Sequence, residues 1–379
     1  MKKLAIIGAS YLQEPLIRKA IDMGIETHVF AWEVGDVGEK IADYFYPISI
    51  IEKDKILEKC RQIGIDGICT IASDLAAITV NYVANAMGLT ANTLHSTEIS
   101  TNKHLMRKAF SENQDPSPKS ILVDTIEDLA DIELKYPVIV KPIDRSGSRG
   151  ITKLENSCGL AEAIEHAKNE GFSKHALVEE YVTGQEYSVE FISWKGEHHF
   201  LALTKKYTTG APCFIETGHM EPADVDSELL QKIIEVVKHA LDSLEIQYGA
   251  SHSEIKISDN REIKIIEIGG RMGGDFIGSK LVELSTGIDF IAAVISVSLG
   301  EKPDLTPARE GVVAAVRFIF SGEDIYAYNR LMEKYPEKLV QAQIPDCIDG
   351  EVTDSSNRFG YYLFCGYSVG EISEFLPIE

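Results

Sequence analysis

Strand-like and helix-like segments alternate through the first hundred residues, and that rhythm leaves few folds open. Lys3–Gly8 is an apolar run of buried-strand character, and Gln13–Met23 carries helical spacing ended by Gly24. Thr27–Trp32 is a second strand, Ile51–Ile63 a helix closed by Gly64, Asp66–Ile71 a further strand, and Leu75–Met87 a helix closed by Gly88. Parallel strands need crossover helices, so this order predicts a parallel sheet covered on both faces. Gly8-Ala9-Ser10-Tyr11-Leu12-Gln13 sits where a dinucleotide fingerprint would sit. It lacks the second and third glycines of that fingerprint, which argues against NAD.

Beyond a polar connection at Ser111–Lys119, with Pro116 and Pro118, the rhythm changes. Tyr136–Lys141 reads as a strand running into a loop, and Asn156–Glu170 as a helix capped by Ser157, with Leu160, Ala163, Ile164 and Ala167 as its apolar stripe. Ala176–Glu180 and Tyr187–Trp194 are strands. Asp226–Leu244 is the clearest helix, with Leu230, Ile233, Ile234, Val237 and Leu241 on one face. His252–Ser258 and Ile263–Ile268 are strands around a turn at Asp259-Asn260-Arg261-Glu262, and residues after about 305 are rich in β-type residues.

Composition narrows the function classes. The chain has 379 residues, which at about 150 per domain suggests two or three domains. With 37 Lys+Arg against 59 Asp+Glu the net charge is −22, the wrong sign for a general nucleic-acid binder, although a local basic pocket for one phosphorylated ligand remains open. A hydrophobic fraction of 44% excludes a disordered chain. The apolar run behind Lys2 and Lys3 is too short for a signal peptide, and nothing approaches the roughly 20 apolar residues of a membrane span. Cys60, Cys69, Cys158, Cys213, Cys347 and Cys365 form no C-x-x-C pair, so buried free thiols in a reducing cytoplasm are expected.

The strongest chemical signal is the hairpin. A turn centred between Asn260 and Arg261 pairs Ser258 with Ile263, Lys256 with Ile265 and Glu254 with Glu267. Ile263, Ile265 and Glu267 would then share a face, and the two carboxylates would lie opposite, with Cβ atoms roughly 5 Å apart. Like charges so placed repel, unless a shared divalent cation reverses the sign; oxygen ligands of this kind suit Mg²⁺ or Mn²⁺. Two solvated glutamates on an exposed strand face, or another register, is the plain alternative.

Ile268-Gly-Gly-Arg-Met-Gly-Gly-Asp275 follows, placing four glycines around Arg271, whose planar fork suits phosphate or carboxylate. Gly273 and Gly278-Ser279-Lys280 resemble a P-loop, but the Lys and Ser are in inverted order and no buried strand ends at Gly273. Lys141 closes an apolar strand, where it can meet a phosphate, and Ser146-Gly147-Ser148-Arg149-Gly150 follows as a loop whose backbone can curl around phosphate oxygens. By itself such a loop is most often only a loop. After Leu177–Val182 crosses from strand to connection, Glu186 follows Gly184. Exposed main chain there can read an adenine edge, and a carboxylate can accept both ribose hydroxyls; an acidic edge strand is the alternative.

The ordered set of Lys103 in Thr-Asn-Lys-His, Val140-Lys141-Pro142, Ser146–Gly150, Glu179–Glu186, Glu254 in Ser-His-Ser-Glu, and Glu267 with Arg271 resembles the ATP-grasp superfamily of carboxylate–amine ligases. Ala250–Glu254 and Thr217–Pro222 are most similar to its L-amino-acid (dipeptide) ligase branch. The resemblance implies an α/β chain: a Rossmann-like, pre-ATP-grasp parallel sheet over 1–100, a two-lobed α+β ATP-grasp fold over 101–304 with a hinge near 180–184, and a C-terminal β-rich region over 305–379. It implies ATP and Mg²⁺ (or Mn²⁺) as cofactors. Lys103 and Lys141 would bind ATP phosphates, and Ser146, Gly147 and Ser148 would cover them as a lid. Glu179 and the backbone of Glu180 and Val182 would hold adenine, and Glu186 the ribose. Glu254 and Glu267 would bind the metal, with Glu267 able to bridge two ions, and Arg271 would stabilise the transferred phosphoryl or the acyl phosphate, with Lys141 counted beside it as catalytic. Many members carry Asn two residues after the second metal glutamate; here that position is Gly269.

The implied partners are a small carboxylate and an amine, with no nucleic acid and no membrane; a homodimer stays open. A biotin-carboxylase-like or purine-biosynthesis enzyme of the same fold, or a non-catalytic nucleotide-binding protein, are the rivals. Ser73, Asp74, His219, His252 and Arg317 are substrate-pocket candidates that spacing does not rank. Ser73-Asp74 ends a strand of the parallel sheet, where such sheets bind ligands, but could equally cap the next helix.

Overall fold

Alternate residues of the first strand are buried on opposite faces, which fixes it at the centre of a covered sheet. The computed structural model describes residues 1–145, 147 and 149–377. Strands β1 (Lys3–Ile7), β2 (Glu26–Ala31), β3 (Tyr44–Pro47) and β4 (Gly67–Cys69) run parallel in the order β3-β2-β1-β4. Leu4 and Ile6 pack on one face with Leu16, Ile17 and Ala20 of helix Glu14–Asp22. Ala5 and Ile7 pack on the other with Ile56, Cys60, Ala76 and Val83 of helices Lys53–Ile63 and Asp74–Met87. The short helix Val37–Ile41 and β3 were not foreseen; β3 is a four-residue edge strand that ends in proline and exposes Tyr44.

A smaller antiparallel sheet follows, from β5 (Ser120–Val123), β6 (Val138–Pro142), β7 (Thr152–Leu154) and β8 (Ala176–Glu180), in the order β5-β8-β6-β7. Helix Leu160–Glu170 covers it, burying the expected stripe of Leu160, Ala163, Ile164 and Ala167. Ser157 does not cap that helix. Asn156 accepts the Cys158 N–H in a local turn, and the helix begins after Gly159, whose φ of 79° turns the chain into it.

The third sheet has eight antiparallel strands: β9 (Gln185–Trp194), β10 (Glu197–Thr208), β11 (Glu216–Glu221), β12 (Tyr248–Ile257), β13 (Ile263–Gly269), β14 (Val313–Ile319), β15 (Leu339–Gln343) and β16 (Gly360–Gly366). Their order is β13-β12-β9-β10-β11-β14-β16-β15. The sequence pattern does not show β10, where Glu197-His198-His199 and Lys205-Lys206 break the apolar run, or β11, where Glu216, Gly218, His219 and Glu221 leave no apolar alternation. The β-rich C-terminal residues extend this same sheet, joining it where β14 pairs with β11. Helix Ser227–Ser243, with Asp226 as its N-cap, buries Ile233, Val237 and Leu241 behind β12 and β13.

Helix Phe290–Ser298 joins the parts: Phe290, Ile291, Val294 and Ile295 share one core with Leu4, Ile6 and Val29 of the first sheet and Ile192 of β9. Each fully buried side chain of this size contributes about 1.5–3 kcal/mol. No single helix among the described residues is long and apolar enough to cross a membrane; the apolar pair Ile277–Thr286 and Phe290–Ser298 bends by 119°. Of the cysteines, Cys60 and Cys69 are buried free thiols as expected, whereas Cys158, Cys213 and Cys347 are exposed.

Candidate active site between the sheets

Strands β12 and β13 pair Glu254 with Glu267 as the sequence anticipates, but through a different register. Ile257 pairs with Ile263, Lys256 with Lys264 and Ile255 with Ile265, one residue off the expected pairing; a bulge then restores Glu254 to Glu267. Ile266 is the extra residue. The bulge also corrects the faces. Ile263 and Ile265 lie in the core with Ile255 and Ile257, and Glu267 turns to the cavity with Glu254. A strict alternation would have left Glu267 on the core side. The Ile266 carbonyl, freed from the ladder, accepts from Arg107 Nη2 at 2.6 Å.

Cations meet these carboxylates. Lys103, the first residue of a helix capped by Asn102, places Nζ 2.8 Å from Glu267 Oε1 and 2.8 Å from the Arg145 carbonyl. Lys206, buried on β10, lies 2.8 Å from Glu254 Oε1 and 2.8 Å from Glu186 Oε1, with Glu216 Oε1 at 3.7 Å. Burial opposes its charge, but Glu186, Glu254 and Glu216 outweigh burial and hold its ammonium well above the usual range. Burial likewise opposes ionisation of Glu254, yet Lys206 and His252 keep it well below its ordinary value. Glu216 goes the other way: burial, with Asp275 and Glu254, pushes its carboxyl up against the pull of Lys206. Lys206 and Glu216 were not singled out in the sequence. Their signal was faint: charged residues in a strand that could be placed only once β10 and β11 were known.

A second buried cluster forms the far wall. Lys141 Nζ on β6 is 2.5 Å from Glu179 Oε2, and Arg107 Nε is 2.9 Å from Glu179 Oε1. Burial raises Glu179, but Arg107 and Lys141 together hold its carboxyl below the usual range; burial pushes the Lys141 ammonium down, with Arg107 and Lys103 adding to it. The Glu179 carboxylate is thus bridged between two cations. Along the connection that follows, the Glu180 N–H donates to the Lys119 carbonyl and the Tyr181 N–H to the Pro137 carbonyl.

One cavity gathers most of the expected residues. Lys103, Lys141, Glu179, Glu180, Val182 and Glu186 line it together with Glu254, Glu267, Arg271 and His252, and Gly147 is among the lining residues. Ser146 and Ser148 lie outside the described residues. His252 Nδ1 pairs with buried Glu190, and Nε2 lies 3.5 Å from Glu254; despite burial, these carboxylates push the imidazole up to about 9.

Four of the five substrate candidates, Ser73, Asp74, His219 and Arg317, are not among the residues lining this cavity. Ser73 caps helix Asp74–Met87 by accepting the Ala76 N–H at 3.2 Å. His219 is buried edge-on against Phe318, where burial pushes its imidazole well below the ordinary value, and it is outside the cavity lining. Arg317 is a structural residue: it forks onto Asp324 and donates to the carbonyls of Phe375 and Leu376, fastening the chain end to β14. Asp74 does not line the cavity but holds Arg271, with Nε–Oδ1 at 2.8 Å and Nη2–Oδ2 at 3.0 Å.

The donor set suits a divalent cation. Two facing carboxylates supply hard oxygens, while among the described residues no cluster of three or more His, Cys, Asp or Glu could hold a metal unaided. Gly269 cannot be replaced by a further ligand without movement, because a Cβ there would lie 2.6 Å from Asp74 Oδ1. Remaining positions would fall to water or to a ligand's own oxygens.

Residues 134–279 match the family of the ATP-grasp domain. The chain is 28% identical over 275 residues to alanine–anticapsin ligase of Bacillus subtilis (strain 168), covering 63% of this chain and 58% of that protein, so it spans little more than half the length of that relative. Carnosine synthase 1 of Homo sapiens is 20% identical over 354 residues, covering 84% of this chain and 42% of that protein. Among solved structures, L-amino acid ligase from Bacillus licheniformis superposes with a TM-score of 0.82 at 22% identity, covering 99% of this chain and 96% of that one.

Proposed function

We propose that this chain, which belongs to the ATP-grasp superfamily, is a carboxylate–amine ligase that spends ATP to join a small carboxylate, of amino-acid type, to an amine. The observation that carries the reading is the Glu254–Glu267 pair facing a cavity that also holds Lys103, Lys141, Lys206 and Arg271. Such a set suits a ligand that brings both a polyphosphate and a divalent cation.

ATP would lie with its phosphates towards Lys103 and Lys141. Val182 and the Glu180 carbonyl are at hand for the adenine edge, Glu186 for the ribose, and Ile266 offers an apolar wall. Arrival of phosphate oxygens compensates Lys141, whose charge is otherwise opposed by burial. Glu254 and Glu267 would hold Mg²⁺, or Mn²⁺, which neutralises phosphate charge and aligns the transferring group when bound. The substrate carboxylate attacks the γ-phosphorus, the bond to the β-phosphate oxygen breaks, and ADP leaves with that electron pair. Arg271, aimed into the cavity, bears the charge on the resulting acyl phosphate. The amine then adds to the acyl carbon, loses its proton, and expels phosphate. No nucleophilic side chain is needed; positioning and charge neutralisation supply the rate.

Alanine–anticapsin ligase and the L-amino acid ligase structure support amino acids as the substrate class by likeness. The test is phosphate release from Mg-ATP against amino acids offered in pairs. Release that requires two amino acids and yields a condensed product is expected. ADP release that depends on bicarbonate, or ATP binding without turnover across the whole matrix, would replace this reading.

A further inference from the structure

Arg271 is held from behind by a residue 197 positions away in sequence. Asp74 begins helix Asp74–Met87 of the N-terminal part, and its two oxygens take the Nε and Nη2 edge of the guanidinium at 2.8 and 3.0 Å. Both side chains are largely buried, at 16% and 18% exposed. The backbone makes the same junction nearby, where the Ala72 N–H donates to the Met272 carbonyl at 3.2 Å.

Counting donors shows what this does. A guanidinium has five N–H bonds in a rigid plane. Asp74 takes one from Nε and one from Nη2, and a long contact from Nη1 leans on the Met272 carbonyl at 3.4 Å. The Nη1–Nη2 edge keeps one N–H from each nitrogen, side by side, and Arg271 lines the cavity. That is the geometry that grips two oxygens of one oxyanion.

Gly269 completes the device. A Cβ there would lie 2.6 Å from Asp74 Oδ1 and 3.3 Å from Arg271 Cζ and Nε, so the pair closes only because position 269 has no side chain. The Asp74 carboxylate fills that space.

We infer that Asp74 is a positioning residue for the transfer step: it fixes one edge of Arg271 so that the opposite edge meets the phosphoryl oxygens of the acyl phosphate, and Gly269 makes the room. The N-terminal part therefore shapes the chemistry of the ATP-binding part without touching the reacting atoms.

The inference rests on the ligase reading, and its test is chosen to fail separately. The probe is MgADP binding, by calorimetry, with and without aluminium fluoride as a stand-in for the transferring phosphoryl; no carboxylate or amine is needed. In the unaltered protein aluminium fluoride tightens MgADP binding. In Asp74→Asn, which keeps size and one acceptor, that tightening falls by about tenfold or more, as loss of a charge-assisted bidentate pair implies, while the affinity for MgADP alone stays within about twofold. Gly269→Ala reaches the same pair from the other side and gives the same loss. Arg271→Ala abolishes the tightening, and adding Asp74→Asn to it changes nothing further. Full tightening in either Asp74→Asn or Gly269→Ala, or losses that add in the double variant, overturns the inference. Failure of every amino-acid pair to turn over would instead strike the ligase reading and leave this measurement intact.

Discussion

Glu254 and Glu267 face each other across β12 and β13 because Ile266 is an extra residue in β13. The bulge shifts the pairing by one, keeps Ile263 and Ile265 in the core, and turns Glu267 to the cavity. Carboxylates so paired are mutually destabilising in a bare sheet. Here each is also met by a buried lysine, Lys206 and Lys103.

Glu267→Gln removes one of the two facing charges and keeps the shape. Mg²⁺-dependent turnover should fall by about 10²–10³, the scale of losing one electrostatic group at a transition state, with an unchanged circular dichroism spectrum. Wild-type activity across a Mg²⁺ titration would falsify the metal assignment.

Lys141→Ala should weaken Mg-ATP binding more than Lys53→Ala. Both remove one positive charge from a chain of net charge −22, but Lys53 is exposed over the Tyr82 ring whereas Lys141 lines the cavity. The expected ratio of dissociation constants is about tenfold, one charge-assisted contact. Equal losses would show that overall charge governs affinity.

Lys206→Met leaves the half-buried Glu186 and Glu254 without their shared cation. Removing one partner of a fully buried pair costs about 3–5 kcal/mol; with both carboxylates partly exposed the loss is smaller, and the unfolding temperature should still drop. Mg²⁺ should restore part of it, because an ion that binds only the folded state stabilises by mass action. A larger Mg²⁺-dependent rise in the variant than in the unaltered protein is the expected thermal-melt result; identical rises would remove Lys206 from the account.

Glu221 gives a pH dependence independent of activity. It is fully buried between Thr204 and Ser285, and burial pushes its carboxyl from 4.5 up to about 8. Between those values the unfolded chain has lost the proton that the folded chain keeps, so stability declines as pH rises, by at most about 1.4 kcal/mol per pH unit from this group. Glu221→Gln lacks that contribution. Urea unfolding at several pH values from 5 to 8 should show the variant gaining on the unaltered protein as pH rises; parallel curves would mean Glu221 is ionised in the fold.

Much of this was legible from local pattern. The turn at Asp259–Glu262 marked the hairpin that carries Glu254 and Glu267, helical spacing found Asp226–Leu244, and Gly64 and Gly88 marked two helix ends, because chain reversal and side-chain direction are set within a few residues. The order of the phosphate and carboxylate motifs carried the family, since each motif needs only its own neighbours. What the sequence could not supply were relations between distant segments. The Ile266 bulge depends on what β13 meets, not on its own residues: Arg107 takes the freed carbonyl and the Pro116 carbonyl accepts the Ile265 N–H. Lys206 acquires its role only when β10 brings it beside Glu186 and Glu254. Asp74 looked like a helix cap or a substrate contact, and only the packing of the N-terminal helix against the Gly-rich loop gives it to Arg271. Local sequence determines which groups a segment can present; a charge becomes part of a site when tertiary packing removes water and supplies its partner.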